Sequence, residues 1–341
     1  MRFKDLLRFR SVWLGVAMIW TILYHIPIAS TTPLDFIRQV GYAGVDIFLF
    51  ASGVVCFYSL TKDPDAGRFM KRRIAKLAPC YLIFLVFWLG YQWFRGNFDL
   101  RMALGNALGI QYFINPVNAF NWYISAILLF YLLSPYFKAF IDRSSAAGRI
   151  IGLGLLVVFS IPFWNFDDLM IVITRLPIFF GGMLFANLCL QDKKISAVHL
   201  FLTALSFLLG VAALLISNLR FPQYLWSRGL HWYPFILITP PLCIALSYLA
   251  MLLEKARATR LLVSFLSLMG EYSFEIYLVH VLQLNVLLYV IGQFGLIRFS
   301  HWIWIGACLA LIPCCYLLRL ASKLCLKLCA KLFAPKTPSA T

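Results

Sequence analysis

Two ionisable side chains stand inside apolar runs where a charge is costly. His25 lies in the run 12–30 and Asp46 in the run 40–60. A charge in hydrocarbon costs several kcal/mol unless it is paired, so such residues are functional candidates by default. A neutral imidazole can take a proton from an attacking hydroxyl near neutral pH, or carry a transferred group covalently as a nucleophile. A carboxylate beside it can orient the ring and stabilise its protonated form. Counting along two antiparallel helices puts both residues roughly 20 Å from the side where the chain begins, so the two are expected to meet. Without a catalytic role, each would be an interhelical hydrogen-bonding group.

A second set of polar residues stands near the ends of other apolar runs. Arg72 and Arg73, in RFMKRRIAK, form a basic loop before the third run. Guanidinium groups bind phosphates bidentately, although simple membrane topology also explains basic residues there. Glu271 and Glu275 have i,i+4 spacing and so share a helical face, with Glu275 about 16 Å into a run that also holds His280. Glu275 either binds a ligand or locks helices together. Asn121 and Trp122 open the fourth run, and Arg175 opens the sixth, all on the side opposite the termini. An aromatic residue at that depth is the usual interfacial anchor. Arg175 could contact a sugar or a lipid phosphate, although one arginine at an interface needs no function. Asn121, Trp122, Arg175, Glu275 and His280 together are the candidate substrate-binding residues.

The elements that position these residues are membrane helices. The chain of 341 residues is 62% hydrophobic and 13% charged. That balance excludes an ordinary soluble domain. Ten apolar runs, near 12–30, 40–60, 79–94, 121–139, 149–163, 172–190, 198–217, 232–253, 263–291 and 302–320, are candidate spans. With the N-terminus in the cytosol, 23 of the 30 lysines and arginines fall on the cytosolic side and 7 on the other. Such a bias supports ten spans with both termini cytosolic. It also turns the net charge of +17 into a statement about topology rather than nucleic acid, which is not an expected partner. The predicted fold is an all-α polytopic bundle, a single domain over 1–320. Residues 321–341 form an extension in which Lys323, Lys327 and Lys331 make a basic stripe at the lipid surface, followed by a disordered tail. The apolar piece 102–114 reads as re-entrant or interfacial. The nine cysteines contain no CxxC pair, and neither HExxH nor a Walker loop is present, so no metal is expected.

Several stretches, taken in order, carry a family resemblance. VWLGVAMIWTILYH (12–25), GYAGVDIFLFASG (41–53) and FMKRRIAKLAPCY (69–81) resemble the opening of the membrane-bound acyltransferase 3 family. NWYISAILLFYLLSP (121–135), RLPIFFGGMLFA (175–186) and GEYSFEIYLVH (270–280) extend the likeness over nearly the whole chain. The resemblance implies an integral membrane O-acyltransferase of the bacterial inner membrane. Its donor would be cytosolic acyl-CoA, acetyl-CoA expected, and its acceptor a hydroxyl of an envelope polysaccharide or lipid-linked sugar. His25 falls at the family's essential histidine, and Arg73 or its neighbour at its functional arginine. Asp46 gains partial support, because the family's slot there does not always hold an acid. Many members carry a basic residue eleven positions before the histidine; here Leu14 is there, and Arg10 or Arg8 stands in. The glutamate of the fourth-helix motif is absent from WYISAIL. A transporter or flippase of a lipid-linked sugar is the alternative reading. The two related halves common in transporters are not evident.

Overall fold

The computed structural model describes residues 2–26, 33–119, 121–225, 227–296 and 300–332. Among them there is no strand; an isolated antiparallel bridge joins Arg2 to Lys194. The main helices are α1 (Arg10–His25), α2 (Gly44–Lys62), α3 (Ala66–Phe94), α4 (Leu100–Ala107), α5 (Trp122–Arg143), α6 (Ala146–Ser160), α7 (Leu176–Leu190), α8 (Ala197–Arg220), α9 (Pro234–Leu253), α10 (Arg257–Glu271), α11 (Ser273–Phe294) and α12 (Ser300–Leu332). With their flanking turns, all but α4 and α10 are long and apolar enough to cross a membrane, which gives ten candidate spans. Large apolar side chains such as Val86, Leu208 and Leu309 are about two-thirds exposed. Surfaces of that kind suit hydrocarbon, and the chain is a multi-pass integral membrane protein.

The chain packs as two compact units, Met1–Met70 with Leu108–Ser273, and Lys71–Ala107 with Phe274–Thr341. In the first unit, α2 and α7 are the buried helices; 78% of the most apolar stretch of each is enclosed. Both are hydrophobic on every side, as helices surrounded by other helices should be. Glycines let them touch backbone to backbone: a Cβ on Gly182 would lie 2.1 Å from the Phe50 carbonyl oxygen, and one on Gly53 2.1 Å from that of Phe179. Without a hydrophobic drive between helices in lipid, close packing of this sort replaces it. α10 crosses α1 through a similar contact, in which a Gly270 Cβ would lie 1.8 Å from the Ser11 carbonyl oxygen. The N-terminal segment is tied to the turn after α7 by Arg2 and Lys4, both ion-paired with Asp192.

Several expectations change. The run 263–291 is two helices: α10 stops at Glu271, and Tyr272 separates it from α11. Glu271 and Glu275 therefore share no helical face, and Glu275 sits in the first turn of its span rather than deep within it. The basic segment 71–76 is part of α3 and not a loop; Pro79 is accommodated inside the same helix. Apolar residues 102–114 form α4 and a short turn, Gln111–Ile114. The final span runs unbroken to Leu332. At 33 residues it is about 50 Å long, so its end reaches past a ~30 Å core as a continuous rod instead of a separate surface helix. Residues 333–341, expected to be a disordered tail, lie outside the described residues.

Candidate functional site

His25 is the last residue of α1, followed by Ile26 in extended conformation. The imidazole folds back on its own helix: its Nδ1 lies 2.8 Å from the Thr21 carbonyl oxygen, one turn earlier. A carbonyl can only accept, so Nδ1 carries the proton and Nε2 is the ring's basic nitrogen. The ring stands edge-on to Tyr24, centroids 5.0 Å apart, and is half-buried.

Asp46 is elsewhere. Gly41 of the preceding turn abuts Trp20 and Tyr24, and Gly44 abuts Ala17 and Thr21. In that antiparallel register Asp46 faces about residue 17 of α1, roughly 12 Å short of His25 along the axis. The expected meeting fails because helical structure resumes at Pro33, which places Asp46 deeper behind the turn than the apolar run suggests. Its ion-pair partner is Arg175, just before α7, with Nε 3.1 Å from Oδ1 and both side chains about 97% enclosed. The guanidinium lies between two indoles, 5.0 Å from the Trp122 ring and 4.6 Å from the Trp232 ring. It also donates to the Ile171 carbonyl at 2.8 Å. Desolvation strengthens both the ion pair and the cation–π contacts. Arg175 is thus enclosed by protein and is not the interfacial residue its position suggested.

Aromatic contacts connect the two places. Tyr24 packs on Tyr42 (5.8 Å), Tyr42 on His231 (4.9 Å), and His231 on Trp232 (4.1 Å). The Tyr42 hydroxyl donates to the His231 carbonyl at 3.1 Å. His231 precedes α9; burial pushes its imidazole down to about 3, so it is neutral at physiological pH. Its Nδ1 donates to the Leu225 carbonyl oxygen.

The remaining candidates have defined places. Asn121 caps α5, accepting from the Tyr123 backbone at 2.9 Å, while Trp122 covers Arg175. Arg10 opens α1 and is half-buried. In the second unit, Arg72 is exposed and Arg73 half-buried on α3. Glu275 receives a bidentate pair from Arg319 of α12, at 2.7 and 2.9 Å. His280 is buried, with Nδ1 3.0 Å from the Ile276 carbonyl. Among the described residues, no three His, Cys, Asp or Glu side chains gather where they could hold a metal ion.

Sequence reasoning missed Tyr24, Tyr42, His231, Trp232 and Arg38 as members of this neighbourhood. Arg38 sits at the His25 end of α1: Nη1 donates to the Ile26 carbonyl at 3.0 Å and Nε to Asp35 at 2.6 Å. The charge bias offered a signal. Arg38 and Arg175 both fall on the side poor in basic residues, where topology does not account for them.

A family model for an acyltransferase domain matches residues 13–320. No curated protein and no solved structure matches the chain significantly.

Proposed function

The chain belongs to the acyltransferase 3 family and is a membrane acyltransferase, and we propose that it moves an acetyl group from cytosolic acetyl-CoA to a hydroxyl of an envelope carbohydrate, in a bacterial inner membrane. The observation that carries this reading is the bond from His25 Nδ1 to the Thr21 carbonyl. It fixes the tautomer in which Nε2 is basic and presents it at the end of α1. Nε2 would take the proton of the acceptor hydroxyl as its oxygen attacks the thioester carbonyl. The tetrahedral intermediate then breaks its carbon–sulfur bond, and the leaving thiolate regains that proton from the imidazolium, giving an ester and a free thiol. In the covalent variant Nε2 itself attacks the thioester carbonyl and the carbon–sulfur bond breaks to release the thiolate; the acceptor oxygen then displaces the imidazole from the acyl carbon, and the hydroxyl proton passes to the thiolate.

Donor recognition is assigned to Arg72 and Arg73, with Arg10 as the basic residue of the first helix. The phosphates of coenzyme A match bidentate guanidinium groups. Tyr24, edge-on to His25, is a ring of the kind that packs on sugar faces, which supports a carbohydrate acceptor. Trp122, Asn121 and Arg175 remain in the proposal as supports of the acceptor region rather than direct contacts, because each is engaged by protein or buried. Glu275, tied to Arg319, and the buried His280 are read as helix-locking residues of the second unit.

The test is acyl transfer from labelled acetyl-CoA by the purified protein in nanodiscs, with lipid-linked and polymeric envelope glycans as acceptors. His25→Ala should remove about 10²–10⁴-fold of the rate while leaving expression and insertion unchanged. Activity within a few-fold of wild type would exclude His25 as base or acyl carrier. Transport of the glycan without any labelled ester would favour the flippase.

A further inference from the structure

We infer that Arg38 is a positioning residue for acyl transfer, holding the chain segment that presents His25. The inference rests on the reading of His25 as base. α1 ends at His25, and the next residue is already extended, so nothing in the helix ladder fixes the backbone beyond the imidazole. The Ile26 carbonyl is fixed instead from another element, by Arg38 Nη1 at 3.0 Å.

The guanidinium cannot drift while it does so. Its Nε donates to Asp35 Oδ1 at 2.6 Å, and Gln39 Nε2 donates to Asp35 Oδ2 at 2.6 Å. Asp35 thereby has both oxygens engaged, and its side chain is 7% exposed. The short helix Pro33–Gln39 thus forms a rigid fork aimed at the residue after His25. A second contact joins this short helix to α1, from Trp20 Nε1 to the Ile37 carbonyl at 2.6 Å. Topology supplies no other reason for the arginine, which is charged on the side poor in basic residues. Displacing a reacting group by about 1 Å can cost on the order of 10²-fold in rate, which gives a fork of this kind a purpose.

The experiment compares Arg38→Ala, Arg38→Lys, Asp35→Asn and His25→Ala in nanodiscs. It reads labelled acetyl transfer beside the stoichiometry of acetyl-CoA binding and the melting temperature. Arg38→Ala should lower kcat about 10- to 100-fold with the KM of both substrates and the binding stoichiometry unchanged. Arg38→Lys should recover part of the loss, since an ammonium reaches the Ile26 carbonyl but cannot fork to Asp35 as well. Asp35→Asn keeps the arginine and weakens its anchor, so it should show the same kcat-only defect, smaller in size; it carries the test if Arg38→Ala does not insert. Wild-type kcat in both Arg38→Ala and Asp35→Asn, with His25→Ala inactive, would overturn the role of Arg38 alone. A loss explained entirely by fewer binding sites would overturn it as well. An active His25→Ala would instead overturn the base assignment, and this inference with it.

Discussion

Asp46 and Arg175 form a buried ion pair, 3.1 Å between Oδ1 and Nε, with the guanidinium held between Trp122 and Trp232. Four segments meet there: α2, the start of α7, the start of α5 and the approach to α9. Removing one partner leaves an uncompensated buried charge, which costs about 3–5 kcal/mol. Asp46→Asn and Arg175→Met should each lower the melting temperature in detergent. The double replacement Asp46→Leu with Arg175→Met should recover most of the loss, because buried pairs exchanged for apolar residues are often neutral or better. Additive losses in the double variant would show that the pair is not coupled. Because Asp46 pairs with Arg175 rather than His25, the activity of Asp46→Asn should track its folded fraction.

Donor binding is expected to depend on Arg72 and Arg73. Charge-assisted hydrogen bonds are worth about 1.5–3 kcal/mol each, so alanine at either position should raise the KM for acetyl-CoA roughly ten- to a hundredfold, with the acceptor KM unchanged. Lysine should rescue only part. Orientation is checked in the same variants on a cysteine-free background: Met70→Cys should react only from the cytosol and Asn97→Cys only from outside. Unchanged donor KM in both alanine variants would remove these arginines from the site, and same-side labelling would overturn the topology.

The α2–α7 contact tolerates nothing larger than hydrogen at Gly182, whose Cβ would lie 2.1 Å from the Phe50 carbonyl oxygen. Gly182→Ala must push two backbones apart, and overpacking of this kind typically costs about 1–3 kcal/mol. Next to it, Gly181 has nothing within 4 Å of an added Cβ. Gly181→Ala should therefore be neutral or slightly stabilising, since alanine is the better helix former. Equal melting temperatures for the two variants would contradict the contact.

His231 makes stability depend on pH. Its imidazole is held at about 3 by burial, against about 6.5 in an unfolded chain. Between those values the unfolded state binds the extra proton, so stability rises with pH across the window. The full contribution is present above about pH 6.5 and declines as the pH falls toward 3. Melting temperature should therefore drop on acidification from pH 7 to pH 4, and His231→Gln should flatten that slope. An unchanged slope would mean that other groups govern it.

The sequence alone determined the number of spans. Run length and the sidedness of basic residues are local and additive signals, read against a bilayer of fixed thickness. Each of the ten runs contains a helix long and apolar enough to span, the ninth beginning only after the break at Tyr272. It also singled out His25, because an imidazole in an apolar run is conspicuous whatever surrounds it. The tertiary structure decided everything that depends on which helices touch. Asp46 was legible as a costly charge, but its partner lies 129 residues further on, and only the glycine contacts between α2 and α7 bring Arg175 to it. The break at Tyr272 was hidden because apolar composition continues across it, and a helix end in such a run is set by packing of α10 on α1 rather than by a cap residue. Arg38 was invisible as a neighbour of His25 for the same reason: the spacing of thirteen residues says nothing about which carbonyl a folded-back guanidinium will reach.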